Sequence, residues 1–157
     1  MASDPSIRSI LVLCEGNHCR TPIAEALLKS RLGSAIRVSS AGLMALVGQP
    51  ADPEAVRLMT AQGIDISSHR GQQVTPEMAC EADLILVMDS KQKEWCTQVV
   101  PSARGRIFLL GHWLSVPPCE IADPFRQDRE AFQRAFEDIK RSVSAWVPHL
   151  ITEQRPA

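Results

Sequence analysis

The chain has no tyrosine, and aromatic residues are few, with three tryptophans and four phenylalanines among 157 residues. Without a tyrosine, the protein cannot be regulated by phosphorylation of its own tyrosines. Its apolar runs fall far short of the roughly 18 residues that a membrane-spanning helix needs. Residues 1–9 also lack the charged start and the apolar stretch of a secretory signal. We therefore expect no insertion into a membrane.

A strong charge of either sign is lacking as well, because the formal net charge is −1. No large positive field is present to attract nucleic acid, and no charged block predicts a tail. The five cysteines are an odd number without the spacing of a disulfide framework, which favours the reducing cytoplasm as the location. The chain does contain 45% apolar residues over a length typical of one domain. We expect a single domain over 1–157, with flexible ends at 1–8 and 152–157.

The apolar pattern predicts strands that alternate with helices. Short apolar runs predict four strands, at 10–13, 35–40, 82–88 and 106–111. Capping residues and periodic apolar positions predict helices at 21–32, 52–62, 91–100 and 128–147, with Thr21 as the cap of the first. This alternation is typical of an α/β fold in which helices cover both faces of a four-stranded parallel sheet.

Ligands of such sheets bind in the crevice beyond the carboxyl ends of the strands. Reactive or polar residues occur at four such places in the predicted order of elements. They are the segment 14–20, the pair Ser39 and Ser40, Asp89, and the loop 111–126.

The segment "CEGNHCR", from Cys14 to Arg20, connects the first predicted strand to the first predicted helix. The amino end of a helix offers unpaired N–H groups and partial positive charge, which attract anions and favour an ionised thiol. Gly16 and Asn17 both tolerate a positive φ, which lets successive amides turn towards an anion. The guanidinium of Arg20 can hold two oxygens of a tetrahedral oxyanion. A thiolate below a phosphate-sized cradle predicts covalent phosphoryl transfer.

Three other interpretations of this segment are weaker. A lone cysteine after a strand is usually a small core residue. Cys14, His18 and Cys19 are of metal-binding types, but they lack standard zinc spacing and an obvious fourth ligand. The nucleotide-binding P-loop is excluded because no Gly-Lys-Ser/Thr follows. The glycine, the arginine and the capped helix together favour the phosphate-binding thiolate.

The stretch "CEGNHCRTP" resembles the signature Cys-x-Gly-Asn-x-Cys-Arg-Ser/Thr-Pro of the low-molecular-weight protein tyrosine phosphatases. The resemblance covers nearly the whole chain, through "SSAG" at 39–42, "DPEAV" at 52–56, "DLILVMD" at 83–89, "LLGHW" at 109–113 and "DPF" at 123–125. The last two are most similar to bacterial members paired with tyrosine autokinases in capsule or exopolysaccharide production. The resemblance implies a four-stranded parallel sheet, a phosphotyrosine protein as substrate, such an autokinase as partner, and neither metal nor cofactor. We expect a monomer or a weak dimer.

The resemblance also implies a catalytic role for several residues. Cys14 would attack phosphorus, and Asp123 would protonate the leaving phenolate and later act as base on water. The phosphate would be held by Glu15, Gly16, Asn17, His18, Cys19 and Arg20. Thr21, at the family's Ser position, would donate a hydrogen bond to the Cys14 sulfur.

Four further residues match supporting positions of the family. Asn17, Ser40 and His69 match a polar network that holds the loop in a strained shape. Asp89 matches an acidic residue near the site, and a simple helix cap explains it equally well.

The resemblance implies a redox partner and a substrate pocket as well. Cys19 matches a second loop cysteine, which can form a reversible disulfide with Cys14. Phe125 would provide an aromatic wall. Three apolar residues of a variable loop would lie opposite, or belong equally well to the core: Leu43, Met44 and Leu46.

Three departures from the family pattern bear on specificity. Glu15 places a carboxylate beside a dianion pocket. His18 replaces a residue, frequently Ile, that separates tyrosine from arginine phosphatases, so a protein-arginine phosphatase remains an alternative. Gln72 stands where relatives often have Arg, and we expect a supporting contact to be missing there.

Two other functions have weaker support. A thioredoxin-coupled arsenate reductase shares this loop but needs a closely spaced pair of further cysteines, whereas Cys80, Cys96 and Cys119 are far apart. A non-catalytic phosphate-binding module would need neither a nucleophile nor an acid, yet Cys14, Arg20 and Asp123 are all present.

Overall fold

A computed structural model describes residues 7–115 and 119–151 of the protein. Its four parallel strands form one sheet in the order β2-β1-β3-β4. The strands are β1 (Ser9–Cys14), β2 (Arg37–Gly42), β3 (Leu84–Val87) and β4 (Ile107–Leu109). The helices are α1 (Arg20–Leu32), α2 (Pro53–Ala61), α3 (Pro76–Glu81), α4 (Ser90–Val99) and α5 (Arg129–Leu150), and short 3-10 turns cover Gly33–Ala35 and Pro101–Ala103. The single-domain α/β fold with a four-stranded parallel sheet is therefore confirmed.

The central strand β1 separates two apolar cores. Successive side chains of a strand point to opposite faces. Ile10 and Val12 accordingly pack in one core with α1, α2 and α5, while Leu11 and Leu13 pack in the other with α3 and α4. Because both faces are covered, β1 is apolar from Ile10 onwards, and Cys14 falls on the α1 face at its carboxyl end.

The helix starts follow from capping residues. Asp52, Asp89 and Asp128 each accept a hydrogen bond from a first-turn amide, of α2, α4 and α5 respectively. Thr21 is different, because α1 begins at Arg20 and Thr21 lies inside it, so the predicted cap is wrong. Cys19 occupies the cap position without a side-chain cap hydrogen bond, which leaves the amide groups at this helix end available.

Several predicted bounds are corrected by the structure. α3 was not predicted, although its cap Thr75 and first residue Pro76 repeat the start signal of other helices. Helix α5 runs on to Leu150 through Pro148. Ser39 and Ser40 lie within β2 and not beyond its end.

Residues 1–6, 116–118 and 152–157 are outside the described part of the chain. Most of the two predicted flexible ends, 1–8 and 152–157, therefore lies outside it as well. Of the predicted amino-terminal end, Ile7 packs against the core and the Arg8 amide donates to Asp83 Oδ2 at 2.8 Å. Within the described part of the chain, no helix is both long and apolar enough to cross a membrane.

Candidate active site

The loop of residues 14–20 connects β1 to α1, and its first five carbonyl groups are all bonded to other segments. In a planar trans peptide, the carbonyl and the following N–H point in opposite directions. With the carbonyls of 14–18 turned outwards, the N–H groups of 15–19 face the other side, where the pocket lies. The outward bonds are Leu43 N to Cys14 O (2.9 Å), Met44 N to Glu15 O (2.7 Å), Leu46 N to Gly16 O (2.9 Å), His69 Nε2 to Asn17 O (2.9 Å) and Asp52 N to His18 O (3.0 Å).

A pocket of about 140 Å³ opens above this loop. It is several times the roughly 30 Å³ that one water occupies in the liquid, so it has room for a phosphate-sized anion. The structure thus brings the three predicted catalytic residues into one cavity. Its lining consists of Cys14, Glu15, Gly16, His18, Cys19, Arg20, Met44, Leu46, Asp123 and Phe125.

Cys14 is buried at the bottom of this pocket, where β1 ends. Its sulfur lies 3.4 Å from Thr21 Oγ1. That hydroxyl oxygen accepts a hydrogen bond from Asn17 Nδ2 at 2.7 Å, which leaves the hydroxyl proton free to point at the sulfur. When the sulfur is ionised, only the hydroxyl can donate, so Thr21 is placed to stabilise a thiolate.

Asn17 holds the loop from inside. It is buried and takes a left-handed conformation with φ of 55°, whereas Gly16 does not use the positive φ that it tolerates. Its amide also donates to Ser40 Oγ at 3.0 Å, and its Oδ1 accepts from the Gln72 amide at 2.9 Å. Ser40 Oγ donates in turn to Glu25 Oε1. Every polar atom of the Asn17 side chain is therefore bonded.

Arg20 is the first residue of α1, and its side chain is only 3% exposed. Nη1 donates to the Ile121 carbonyl at 2.8 Å. Nε is buried, and among the residues that the structure describes none accepts a hydrogen bond from it. A buried donor without a partner is costly. In a pocket faced by the N–H groups of 15–19, this donor is available to an oxyanion.

Two carboxylates face this guanidinium. Asp123 Oδ2 lies 3.6 Å from Arg20 Nη2, and Asp89 Oδ2 lies 3.9 Å from Nη1. Asp123 Oδ1 accepts from the Phe125 amide at 3.0 Å, and the side chain remains 42% exposed. Asp89 caps α4 through Oδ1, so both explanations offered for it hold at once. Of these two carboxylates, Asp123 lines the pocket and Asp89 does not.

His18 and Cys19 occupy one side of the pocket. The His18 ring meets Phe125 edge to face at 5.6 Å, and its Nε2 lies 3.5 Å from Asp52 Oδ2. Burial raises the pKa of the Cys19 thiol far above its usual range, and the carboxylates of Asp52 and Asp123 add to this rise against the opposing Arg20. Cys19 is therefore a neutral thiol at neutral pH. Both Cys14 and Cys19 are free, and a disulfide between them stays a prediction.

The apolar wall agrees only in part with the predicted one. Met44 and Leu46 line the pocket opposite Phe125. Leu43 does not, because it is buried in the core on the α3 and α4 face and borders a neighbouring groove beside Trp95. The expected missing contact at Gln72 is also wrong, since its side-chain amide reaches the Ser40 carbonyl at 2.9 Å.

Sequence reasoning missed two glycines, Gly42 and Gly71, which pack closely against the backbone of residues 15 and 46. A Cβ on Gly42 would lie 2.8 Å from the Glu15 carbonyl, and one on Gly71 would lie 2.3 Å from the Leu46 carbonyl, so both positions need glycine for close approach. Glycine in "SSAG" and "HRGQQ" was the available signal. The Ile121 carbonyl that holds Arg20 carries no signal, because every residue has a carbonyl.

Known proteins are similar to this chain in sequence and in structure. The model of a family described as "Low molecular weight phosphotyrosine protein phosphatase" matches residues 9–156. The chain is 49% identical over 144 residues to "Probable low molecular weight protein-tyrosine-phosphatase EpsP" of Ralstonia nicotianae, covering 92% of this chain and 97% of that protein. Its structure is similar to that of the Erwinia amylovora tyrosine phosphatase AmsI, with a TM-score of 0.87 and 40% identity over 92% of this chain and 93% of the other. It is also similar to the YwlE arginine phosphatase from Geobacillus stearothermophilus, with a TM-score of 0.86 and 32% identity over 94% and 95%.

Proposed function

Because this chain belongs to the low molecular weight phosphotyrosine protein phosphatase family, whose members are cysteine-dependent and metal-independent, we propose that it hydrolyses phosphotyrosine through a phosphocysteine on Cys14. The observation that supports this most strongly is the buried Nε of Arg20, which has no hydrogen-bond partner in the described part of the chain and lies in the same pocket as Cys14 and Asp123. The donor needs an oxyanion, the sulfur below it is a nucleophile, and the carboxyl beside it is an acid.

In the first step the Cys14 thiolate attacks phosphorus, and the bond from phosphorus to the tyrosine oxygen breaks. The protonated Asp123 carboxyl gives its proton to the leaving phenolate, which general acid catalysis makes about 10²–10⁴ times faster. Arg20 and the inward amides of 15–19 hold the three remaining phosphoryl oxygens. Because these donors are already oriented, no reorganisation is needed as charge shifts.

In the second step water attacks the phosphocysteine, and the bond between phosphorus and sulfur breaks. The Asp123 carboxylate accepts a proton from the water, which returns the acid to its first form. Thr21, 3.4 Å from the sulfur, donates a hydrogen bond to the departing thiolate. Inorganic phosphate and the free enzyme result.

The nucleophile is tested with Cys14→Ser and para-nitrophenyl phosphate. Wild-type turnover should be insensitive to a chelator, and Cys14→Ser should fall to the rate of buffer. Cys119→Ser, a control outside the pocket, should keep wild-type turnover. Rapid acid quenching should trap one phosphate on the peptide that contains Cys14. Full turnover by Cys14→Ser would end the assignment.

A phosphoarginine substrate is a second candidate. It is favoured by the similarity to a structure described as an arginine phosphatase and by the Glu15 carboxylate on the pocket rim, which can pair with a guanidinium. Against it, Phe125, Met44 and Leu46 form an apolar wall that suits a phenyl ring. We expect a higher kcat/KM for a phosphotyrosine peptide than for a phosphoarginine peptide with the same flanking residues. A higher kcat/KM for the phosphoarginine peptide would identify phosphoarginine as the substrate. Glu15→Gln should then selectively lower the kcat/KM for that peptide.

For the protein substrate we propose a bacterial tyrosine autokinase of capsule or exopolysaccharide production, met in the reducing cytoplasm. The support is the resemblance of "LLGHW" and "DPF" to the bacterial members paired with such kinases, together with five cysteines that lack the spacing of a disulfide framework. The test is dephosphorylation of a purified autokinase domain followed by phosphotyrosine immunoblotting. Retention of the signal with active enzyme would reject this partner. Size exclusion should give a monomer or weak dimer.

A further inference from the structure

Three side chains that the proposed mechanism does not use meet beside the pocket. His18 and Cys19 belong to the 14–20 loop, and Asp52 lies before α2. A ring nitrogen of His18, the Cys19 sulfur and a carboxylate oxygen of Asp52 all lie within 4.8 Å of one another. We propose that these three groups bind one Zn²⁺ ion, and that the bound ion inhibits the enzyme.

The donor set is one that zinc prefers. Imidazole, thiolate and carboxylate are its usual protein ligands, whereas Mg²⁺ and Ca²⁺ favour oxygen alone. In a tetrahedral zinc site, nitrogen and oxygen ligands at about 2.0–2.1 Å from the metal lie about 3.3 Å apart. The distance from His18 Nε2 to Asp52 Oδ2 is 3.5 Å, so these two ligands are already at nearly the required separation.

The backbone around Asp52 fixes this arrangement. Asp52 Oδ1 accepts from the Glu54 amide at 2.9 Å as the cap of α2, and this leaves Oδ2 facing His18. The Asp52 amide donates to the His18 carbonyl at 3.0 Å, which ties the end of α2 to the 14–20 loop. The ligands are therefore held together before any ion arrives.

The local charge also favours a cation. The Asp52 carboxylate, whose Oδ2 lies 3.5 Å from His18 Nε2, brings a negative charge to the site. On binding, Cys19 loses its thiol proton to solvent as the zinc–sulfur bond forms.

An ion here acts on the pocket itself. His18 and Cys19 line the pocket, and His18 also touches Phe125 on the facing loop. Three protein ligands leave the fourth position of zinc to water or a phosphate oxygen. The ion and its water would therefore occupy one side of the space that the substrate needs. It is an inhibitor and not a cofactor, since the family's catalysis is metal-independent.

The binding test uses Cys14→Ser protein, in which zinc cannot be held by the nucleophilic sulfur. Competition with a chromophoric chelator should show one Zn²⁺ bound per chain. Adding Asp52→Asn should weaken that affinity at least about tenfold, because it removes a charged ligand. Asparagine caps helices as well as aspartate, so α2 should stay intact. The matched control, Asp128→Asn at the cap of α5, should change affinity less than about twofold, as expected of a cap without a metal.

Cobalt gives an independent readout of the sulfur. Co²⁺ bound to Cys14→Ser protein should show a thiolate charge-transfer band that disappears in Cys19→Ser. In the enzyme with Cys14 intact, the zinc concentration for half inhibition should rise at least about tenfold with Asp52→Asn. It should stay unchanged with Asp128→Asn, each activity being taken relative to the same protein without zinc.

Three results would overturn the proposal. They are the absence of stoichiometric zinc in Cys14→Ser protein, equal affinity after Asp52→Asn, and inhibition that ignores Asp52. The binding and cobalt measurements need no turnover, so they stand or fall separately from the proposed phosphatase activity.

Discussion

The two loops that face the pocket are built in opposite ways. In the 14–20 loop, Asn17 and Arg20 are almost completely buried, and the outward carbonyls fix its backbone. In the 119–126 loop, Asp123 and Phe125 are exposed, and Ile121 is the buried anchor, bonded to Met88 and Arg20. The first loop has the donors proposed to bind the phosphate already oriented, whereas the second keeps the proposed acid, Asp123, where water can exchange protons. Substitutions of Asn17 or Arg20 should therefore reduce both turnover and folding stability, and those of Asp123 or Phe125 turnover alone.

Apart from loss of the nucleophile, the largest effect is expected from Asp123→Asn. Turnover of aryl phosphates with poor leaving groups should fall about 10²–10⁴-fold, because the phenolate must then leave without a proton. The free energy of unfolding in urea should change by less than about 0.5 kcal/mol, since the side chain lies at the surface. The measurements are kcat over a series of leaving groups and a denaturation curve.

Asp89→Asn is the matched control, since asparagine also caps α4. Its loss of turnover should be smaller and should not depend on the leaving group. Equal losses of Asp123→Asn for good and poor leaving groups would remove Asp123 from the acid role. A large loss of stability would contradict the contrast between the loops.

Arg20→Lys should have the next largest effect on turnover. Loss of the two-pronged contact with the phosphoryl oxygens should reduce kcat about 10²–10³-fold, the usual effect of removing one oxyanion donor. The hydrogen bond to the Ile121 carbonyl is also lost, which should lower the free energy of unfolding by about 1.5–3 kcal/mol. Arg104→Lys, at an exposed position, is the control for both measurements. Unchanged stability would show that Arg20 does not hold the two loops together.

Asn17→Ala should have a smaller effect on turnover and a clear one on folding. It removes the bonds to Thr21, Ser40 and Gln72, and leaving their groups unpaired should lower the free energy of unfolding by about 1–3 kcal/mol. Asn17→Gly loses the same bonds but accepts φ of 55°. We expect it to be more stable than Asn17→Ala by about 1–2 kcal/mol, the price of a left-handed alanine. Equal stability would deny that the loop holds strain.

The smallest effect is expected on thiol reactivity, which is measured without turnover. In Cys14→Ser protein near pH 8, iodoacetamide should modify Cys119 on the 119–126 loop faster than Cys19. Burial and the Asp52 carboxylate raise the pKa of the Cys19 thiol, so only a very small fraction of it is thiolate near pH 8. Peptide mass spectrometry measures both rates. Equal rates would mean that the 14–20 loop opens on the time scale of the reaction.

Much of the fold was predictable because the signals are local. The run Ile10–Leu13 is apolar on both faces, which identifies a central buried strand, and Asp-Pro and Asp-Ser starts identify α2 and α4. The helix α3 was missed since six residues hold too little periodicity to stand out. Leu43 was misplaced for a different reason. An apolar residue beside a pocket looks the same in sequence whether it faces the pocket or the core.

The order of residues in the 14–20 loop by itself determined that a thiol, a residue that tolerates a positive φ and a guanidinium would lie close together between β1 and α1, since they are neighbours in the chain. Only the tertiary structure decided which distant groups complete it. The carbonyl that accepts a hydrogen bond from the Arg20 side chain belongs to Ile121, 101 positions away. The carboxylate near His18 belongs to Asp52. These contacts depend on strand order and register, which bring the carboxyl ends of separate strands to one edge, and no local pattern encodes such distances.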